Sequence, residues 1–202
     1  MLNQPRTTNY SAEPELPDGW KRKPPRGYES LSDDKINMDA LEEIKRLYNE
    51  KLFPIYLYGP TGRGKSFLAA RVHIAAPLWP RFESYGDFIE ETIQASKGNG
   101  YAPWERLREL KGIFTVDEIG VGVPNDWKNE IMWKLLEVRR DKPLLLTGNL
   151  TPGELAKHFD ARIASRIIAG SLVELDGVDQ RSNWLNDKSE VERRFVKIGK
   201  KS

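Results

Sequence analysis

Eight consecutive residues, Gly59-Pro60-Thr61-Gly62-Arg63-Gly64-Lys65-Ser66, have the types and the spacing that gripping a polyphosphate requires. The glycines let successive backbone N–H groups curl around phosphate oxygens, and the helix that follows adds the favourable dipole of its N-terminus. Lys65 reaches the β- and γ-phosphates, and the Ser66 hydroxyl suits magnesium. Phe67 follows Ser66 and is counted with the nucleotide-binding positions. A second pair, Asp117-Glu118, comes just past the apolar run Ile113-Phe114-Thr115-Val116. Acids there project from the carboxyl edge of a sheet, where ligands bind. Asp117 is expected to hold magnesium through its water shell, and Glu118 to orient and deprotonate an attacking water. Together the two motifs predict ATP and Mg2+ as cofactors and hydrolysis as the reaction.

Three further groups could join them. Thr147-Gly148-Asn149 ends another apolar run, and Asn149 is a candidate sensor of the terminal phosphate, although Gly-Asn also favours a plain turn. Arg162 and Arg166 are four residues apart and so share one helix face. They either form structural ion pairs or supply an arginine finger to a neighbouring subunit. Tyr101, Trp104, Arg106 and Arg108 mix aromatic rings with cations, the pairing that binds single-stranded DNA, and an ordinary surface loop has the same composition.

Elements that position these residues can be read from the hydrophobic pattern. A helix is predicted from Met38 to Tyr48, then a strand at 55–58, and a helix from Lys65 that Pro77 and Pro80 bring to an end. Strands follow at 81–85, 113–116, 144–147 and 171–175, separated by helices at 87–96 and 125–140 and by one opening at Thr151-Pro152-Gly153-Glu154. Strands alternating with helices predict an α/β fold with a parallel sheet covered on both faces.

Composition excludes several classes. The chain has 202 residues, no cysteine and two histidines, which removes disulfides and makes a Cys- or His-based zinc site untenable. Charged residues make up 31% but leave a net charge of only +2, so the balance says nothing about nucleic acid. No apolar run is long enough to span a membrane and the first ten residues have no signal-peptide core, so a cytoplasmic protein is expected. Residues 1–27 read as a flexible basic arm containing Trp20-Lys21-Arg22-Lys23-Pro24-Pro25-Arg26. The core is assigned to 28–181 and a C-terminal tail to 182–202.

With these motifs in this order the chain resembles the AAA+ ATPases of the DnaC/IstB type, the helicase loaders and transposition helper ATPases. The resemblance rests on the phosphate loop, Val116-Asp117-Glu118-Ile119-Gly120, Leu146-Thr147-Gly148-Asn149-Leu150, Arg162-Ile163-Ala164-Ser165-Arg166-Ile167 and Gly177-Val178-Asp179-Gln180-Arg181. It implies a P-loop NTPase fold with five parallel strands in the order 5-1-4-3-2 and no helical lid domain. It also implies that Arg166 acts in trans with Arg162 in support, and that the chain self-assembles into an oligomer or filament. Single- or double-stranded DNA and a replicative helicase or a transposase are the implied partners. Two positions depart from the pattern: Arg63 stands where a small or polar residue is usual, and Gly148 replaces the usual serine before the sensor. About thirty residues precede the core, fewer than such proteins typically carry for gripping a partner.

The leading expectation is therefore an ATPase that assembles on DNA and serves helicase loading or transposition. A nucleotide-dependent assembly switch with negligible hydrolysis is the alternative. A small-molecule kinase fits less well, since the Asp-Glu pair with Asn149 suits attack by water.

Overall fold

The computed structural model describes residues 24–29, 36–76, 78–98 and 103–176. The Trp20 basic cluster, Tyr101, the Gly177–Arg181 motif and the C-terminal tail lie outside the described residues. In chain order the elements are α1 (Met38–Asn49), β1 (Ile55–Tyr58), α2 (Lys65–Ala75), β2 (Arg81–Ser84), α3 (Tyr85–Ser96) and α4 (Trp104–Glu109). Then come β3 (Phe114–Ile119), α5 (Asp126–Val138), β4 (Leu144–Gly148), α6 (Pro152–His158), α7 (Ala161–Ile168) and β5 (Ser171–Glu174).

All five strands are parallel and lie in the order β2-β3-β4-β1-β5, the order that the resemblance implied. Side chains alternate across the sheet, and the central strands β1, β3 and β4 are buried on both faces, so each face takes its own helical layer. Tyr56, Phe114, Val116, Leu144 and Leu146 meet residues of α3, α5, α6 and α7. Ile55, Leu57, Leu145 and Val173 point the other way, onto α1 and α2. The fold is thus the expected α/β sandwich. No helix among the described residues is long and apolar enough to cross a membrane.

Two expectations need correction. Residues 104–109 form a short helix, α4, where the pattern of mixed aromatics and cations showed no periodicity. Strand β3 runs on to Ile119, so Asp117 and Glu118 lie inside the strand and not beyond it.

The start of β3 and β4 is tied down by one cation. Arg139, at the end of α5, is 1% exposed and donates to four carbonyl oxygens. Nη1 reaches Leu107 at 3.0 Å and Leu110 at 2.6 Å; Nη2 reaches Gly112 at 2.8 Å and Pro143 at 2.6 Å. Burial pulls its pKa down to about 10. A guanidinium can span these oxygens because its donors are fixed in a planar fork. We expect Arg139→Leu to lower stability by about 3 kcal/mol or more, since buried carbonyls lose charged donors. Urea denaturation measures this, and an unchanged midpoint would show that those carbonyls have other adequate partners.

Candidate functional site

The phosphate loop leaves β1 and turns sharply into α2 at the carboxyl edge of the sheet. Gly59 has φ +142°, and a Cβ there would collide with the carbonyl oxygen of Leu175, whose N–H donates to Tyr58 O at 2.7 Å. The loop therefore lies against the end of β5, closer than any side chain allows. Gly62 and Gly64 also take positive φ, +84° and +79°.

Helices α1, α3, α5, α6 and α7 are each capped by a side chain, from Asn37, Ser84, Asn125, Thr151 and Asp160. Helix α2 is opened by Gly64 and has no side-chain cap. Its first amides are thus left to other acceptors, as an anion site at a helix N-terminus requires. Lys65 is 7% exposed, and its Nζ donates to Gly59 O at 2.7 Å and Pro60 O at 2.8 Å. The loop thereby holds its own ammonium over the hollow it encloses. Pro60 and Thr61 are exposed at the tip, while Gly62, Arg63, Ser66 and Phe67 are half-buried. Arg63 keeps a buried Nε with no hydrogen-bond partner.

The two acids are placed by a bulge. Val116 pairs with Leu146 and Ile119 with Gly148, so Asp117 and Glu118 both stand opposite the single residue Thr147. The Thr147 hydroxyl serves both: it donates to Asp117 Oδ1 at 2.5 Å and accepts the Glu118 N–H at 2.9 Å. Glu118 has φ +62°, a conformation that costs a non-glycine residue about 1–3 kcal/mol and that clusters at functional sites. The outcome is a division of labour. Asp117 is 5% exposed and faces inward, whereas Glu118 is exposed.

Tyr28, from the segment before α1, completes this arrangement. Its hydroxyl donates to Asp117 Oδ2 at 3.1 Å. Burial first, and the Asp117 charge second, push its pKa up to about 12. The segment before α1 is thereby pinned to the strand aspartate. Neither Tyr28 nor Thr147 had been assigned a role. A polar residue one place before the sensor turn was the signal for Thr147; for Tyr28 there was none.

Asn149 is exposed just beyond β4. Gly148, the departure from the usual serine, has a local reason: a Cβ there would lie 2.6 Å from the Tyr56 hydroxyl, which donates to Leu150 O at 2.8 Å. Arg162 and Arg166 lie on α7, against the sheet face that α2 does not cover. Both stack on Trp133, with guanidinium carbons 5.0 and 4.0 Å from the ring centroid. Arg162 pairs with Asp160 at 2.8 Å and Arg166 with Glu137. Among the described residues no contact joins either arginine to the phosphate loop, Asp117 or Glu118. Trp104 is half-buried, edge-on to Phe88 at 6.0 Å with Lys134 Nζ 4.7 Å above its ring. Arg106 pairs with Glu91 at 2.7 Å, and Arg108 is exposed.

The residues fit a magnesium nucleotide. Ser66 and Asp117 offer the hard oxygen donors that Mg2+ takes, few in number, as is usual where phosphates and water complete its shell. The positive φ of Gly59, Gly62 and Gly64 gives the loop the turn in which successive backbone amides can face one anion.

No protein-family model and no curated protein matches the sequence. Solved structures do. DnaI superposes with a TM-score of 0.60 and 20% identity, over 75% of this chain and 89% of that one. The DnaC helicase loader gives 0.58 and 18%, over 72% and 92%. The replication initiator DnaA bound to AMPPCP and single-stranded DNA gives 0.57 and 18%, over 80% and 52%, so the chain spans about half the length of that protein. At such identities the likeness is one of fold: the chain has the AAA+ P-loop NTPase architecture, as its motifs led us to expect.

Thr147→Val keeps the shape of the side chain and removes the hydroxyl that serves both acids. The expected loss is about 1–3 kcal/mol of stability, largely recovered by Thr147→Ser, as read by urea denaturation. Equal stability of the Val and Ser variants would contradict the bridging role.

Proposed function

We propose that the protein is an ATPase that binds ATP with magnesium at the carboxyl edge of its sheet, assembles with its own copies on DNA, and serves helicase loading or transposition. The observation that carries the reading is the bulge that turns Asp117 inward and leaves Glu118 exposed beside it, at the same edge of the sheet as the uncapped phosphate-loop helix. The shared fold with DnaC, DnaI and DnaA supports the replication setting, and DnaA is itself seen with a nucleotide analogue and single-stranded DNA.

Each residue has a task that follows from its position. The uncapped amides of α2 and the loop bind phosphate oxygens, and Lys65 exchanges its carbonyl contacts for the terminal phosphates. Ser66 and Asp117 are the residues that would hold magnesium. Bound there, magnesium neutralises charge that develops on the phosphate oxygens. Glu118 accepts a proton from the attacking water, and Asn149 contacts that water or the γ-phosphate. Arg166 is held on the far face of its own sheet, so its target belongs to a second subunit, with Arg162 beside it. Trp104, Arg106, Arg108 and Tyr101 are the proposed single-stranded DNA contacts.

Glu118→Gln should keep ATP affinity and lose about 100-fold or more in turnover. Nucleotide titration and steady-state phosphate release check the two halves, and wild-type turnover would remove Glu118 as the base. Arg166→Ala should bind ATP normally and lose about 1,000-fold of the assembly-stimulated rate. Mixing it with Lys65→Ala subunits, which retain Arg166, should restore turnover; no recovery on mixing would argue against action in trans.

A further inference from the structure

Tyr28 is delivered to its place by a built turn. The Tyr28 N–H donates to Pro25 O at 3.0 Å, and Gly27 has φ +89°, as the third residue of a type II turn requires. The turn is reinforced by Gly27 N–H donating to Glu29 Oε1 at 3.0 Å. The phenol ring then enters between α2 and β2, edge-on to Phe67 at 5.6 Å and to Phe82 at 5.6 Å. Such contacts fix the ring and direct the hydroxyl onto Asp117.

The direction of the hydrogen bonds follows from the donor inventory. A carboxylate only accepts, so the single phenol proton goes to Asp117 Oδ2, at 3.1 Å. The bond holds one carboxylate oxygen of Asp117 in a fixed direction at the edge of the sheet. Asp117 is meanwhile held from both sides, by Thr147 on Oδ1 and by Tyr28 on Oδ2.

The geometry points to Tyr28 as a positioning residue for magnesium: its hydroxyl orients Asp117 and tightens the metal without itself touching the phosphates. This rests on the nucleotide site described above and adds a residue outside its motifs. Groups of this outer kind typically account for 10- to 100-fold in metal affinity.

Tyr28→Phe keeps the ring contacts and deletes the hydroxyl. A fluorescent, non-hydrolysable ATP analogue is titrated into the full chain in EDTA, and then Mg2+ is titrated at a fixed analogue concentration. Thermal unfolding in EDTA confirms that the variant is folded. The expected result is unchanged affinity in EDTA, with a half-saturating Mg2+ concentration raised about tenfold. Tyr28→Leu, which also removes the ring, should raise it at least as far. An unchanged Mg2+ midpoint for Tyr28→Phe would overturn the proposal. A lowered midpoint would overturn it too, showing that the phenol obstructs the metal. If the wild-type chain bound no analogue with or without Mg2+, the nucleotide reading itself would fall, an outcome separate from either of these.

Discussion

A buried carboxylate is tolerated only when its oxygens are paired, and the site is organised around how Asp117 meets that condition. Its two oxygens take hydroxyl protons from opposite sides, from Thr147 on β4 and from Tyr28 on the segment before α1. The Tyr28 ring in turn packs on Phe67 in the first turn of α2. Two side chains thus tie together a strand, its neighbour, the phosphate-loop helix and the chain's approach to the core. The bulge in β3 is part of the same solution. It lets Asp117 turn inward and Glu118 outward from adjacent positions, which a regular pleat would also do, but it brings both opposite Thr147. The positive φ of Glu118 is the local cost of that arrangement.

The sheet makes this possible because its central strands are buried on both sides, and that feature was legible in the sequence. Runs such as Ile55–Tyr58 and Leu144–Leu146, separated by amphipathic segments, admit few folds other than a covered parallel sheet. The phosphate loop and Asp117-Glu118 were legible for a related reason: their chemistry needs residue types at a spacing that the backbone alone enforces. Other parts of the site depend on contacts between residues far apart in sequence. Thr147 meets Asp117 across 30 residues and Tyr28 meets it across 89, and no local pattern encodes either pairing. Gly148 looks like a departure until Tyr56 is seen filling the space of a side chain. Arg139 reads as one more charge near a helix end, and only its burial shows that it staples two strand entries. The helix at 104–109 went unseen because six residues are too few for a periodicity to declare itself.

The two arginines on α7 have a structural role that is compatible with the role proposed for them between subunits. Stacked on Trp133 and paired with Asp160 and Glu137, they are satisfied within their own chain. The cleft beside them, about 440 Å³ and lined by Asp126, Asn129, Glu130, Trp133, Asp160 and Arg162, opens on the face away from α2. An arginine used between subunits must be presented rigidly and yet exchange one anion for another. Its pairing to a half-exposed carboxylate over an aromatic ring meets both needs at modest energy, since exposed ion pairs are worth about 0–1 kcal/mol.

Steady-state phosphate release, followed over a range of protein concentrations with and without single-stranded DNA, tests the central claim most directly. If the site is completed between copies on DNA, the specific rate climbs with concentration and climbs further when DNA is added. A flat rate, equal in both conditions, would mean that one chain holds a complete site, and assembly on DNA would have no part in its chemistry.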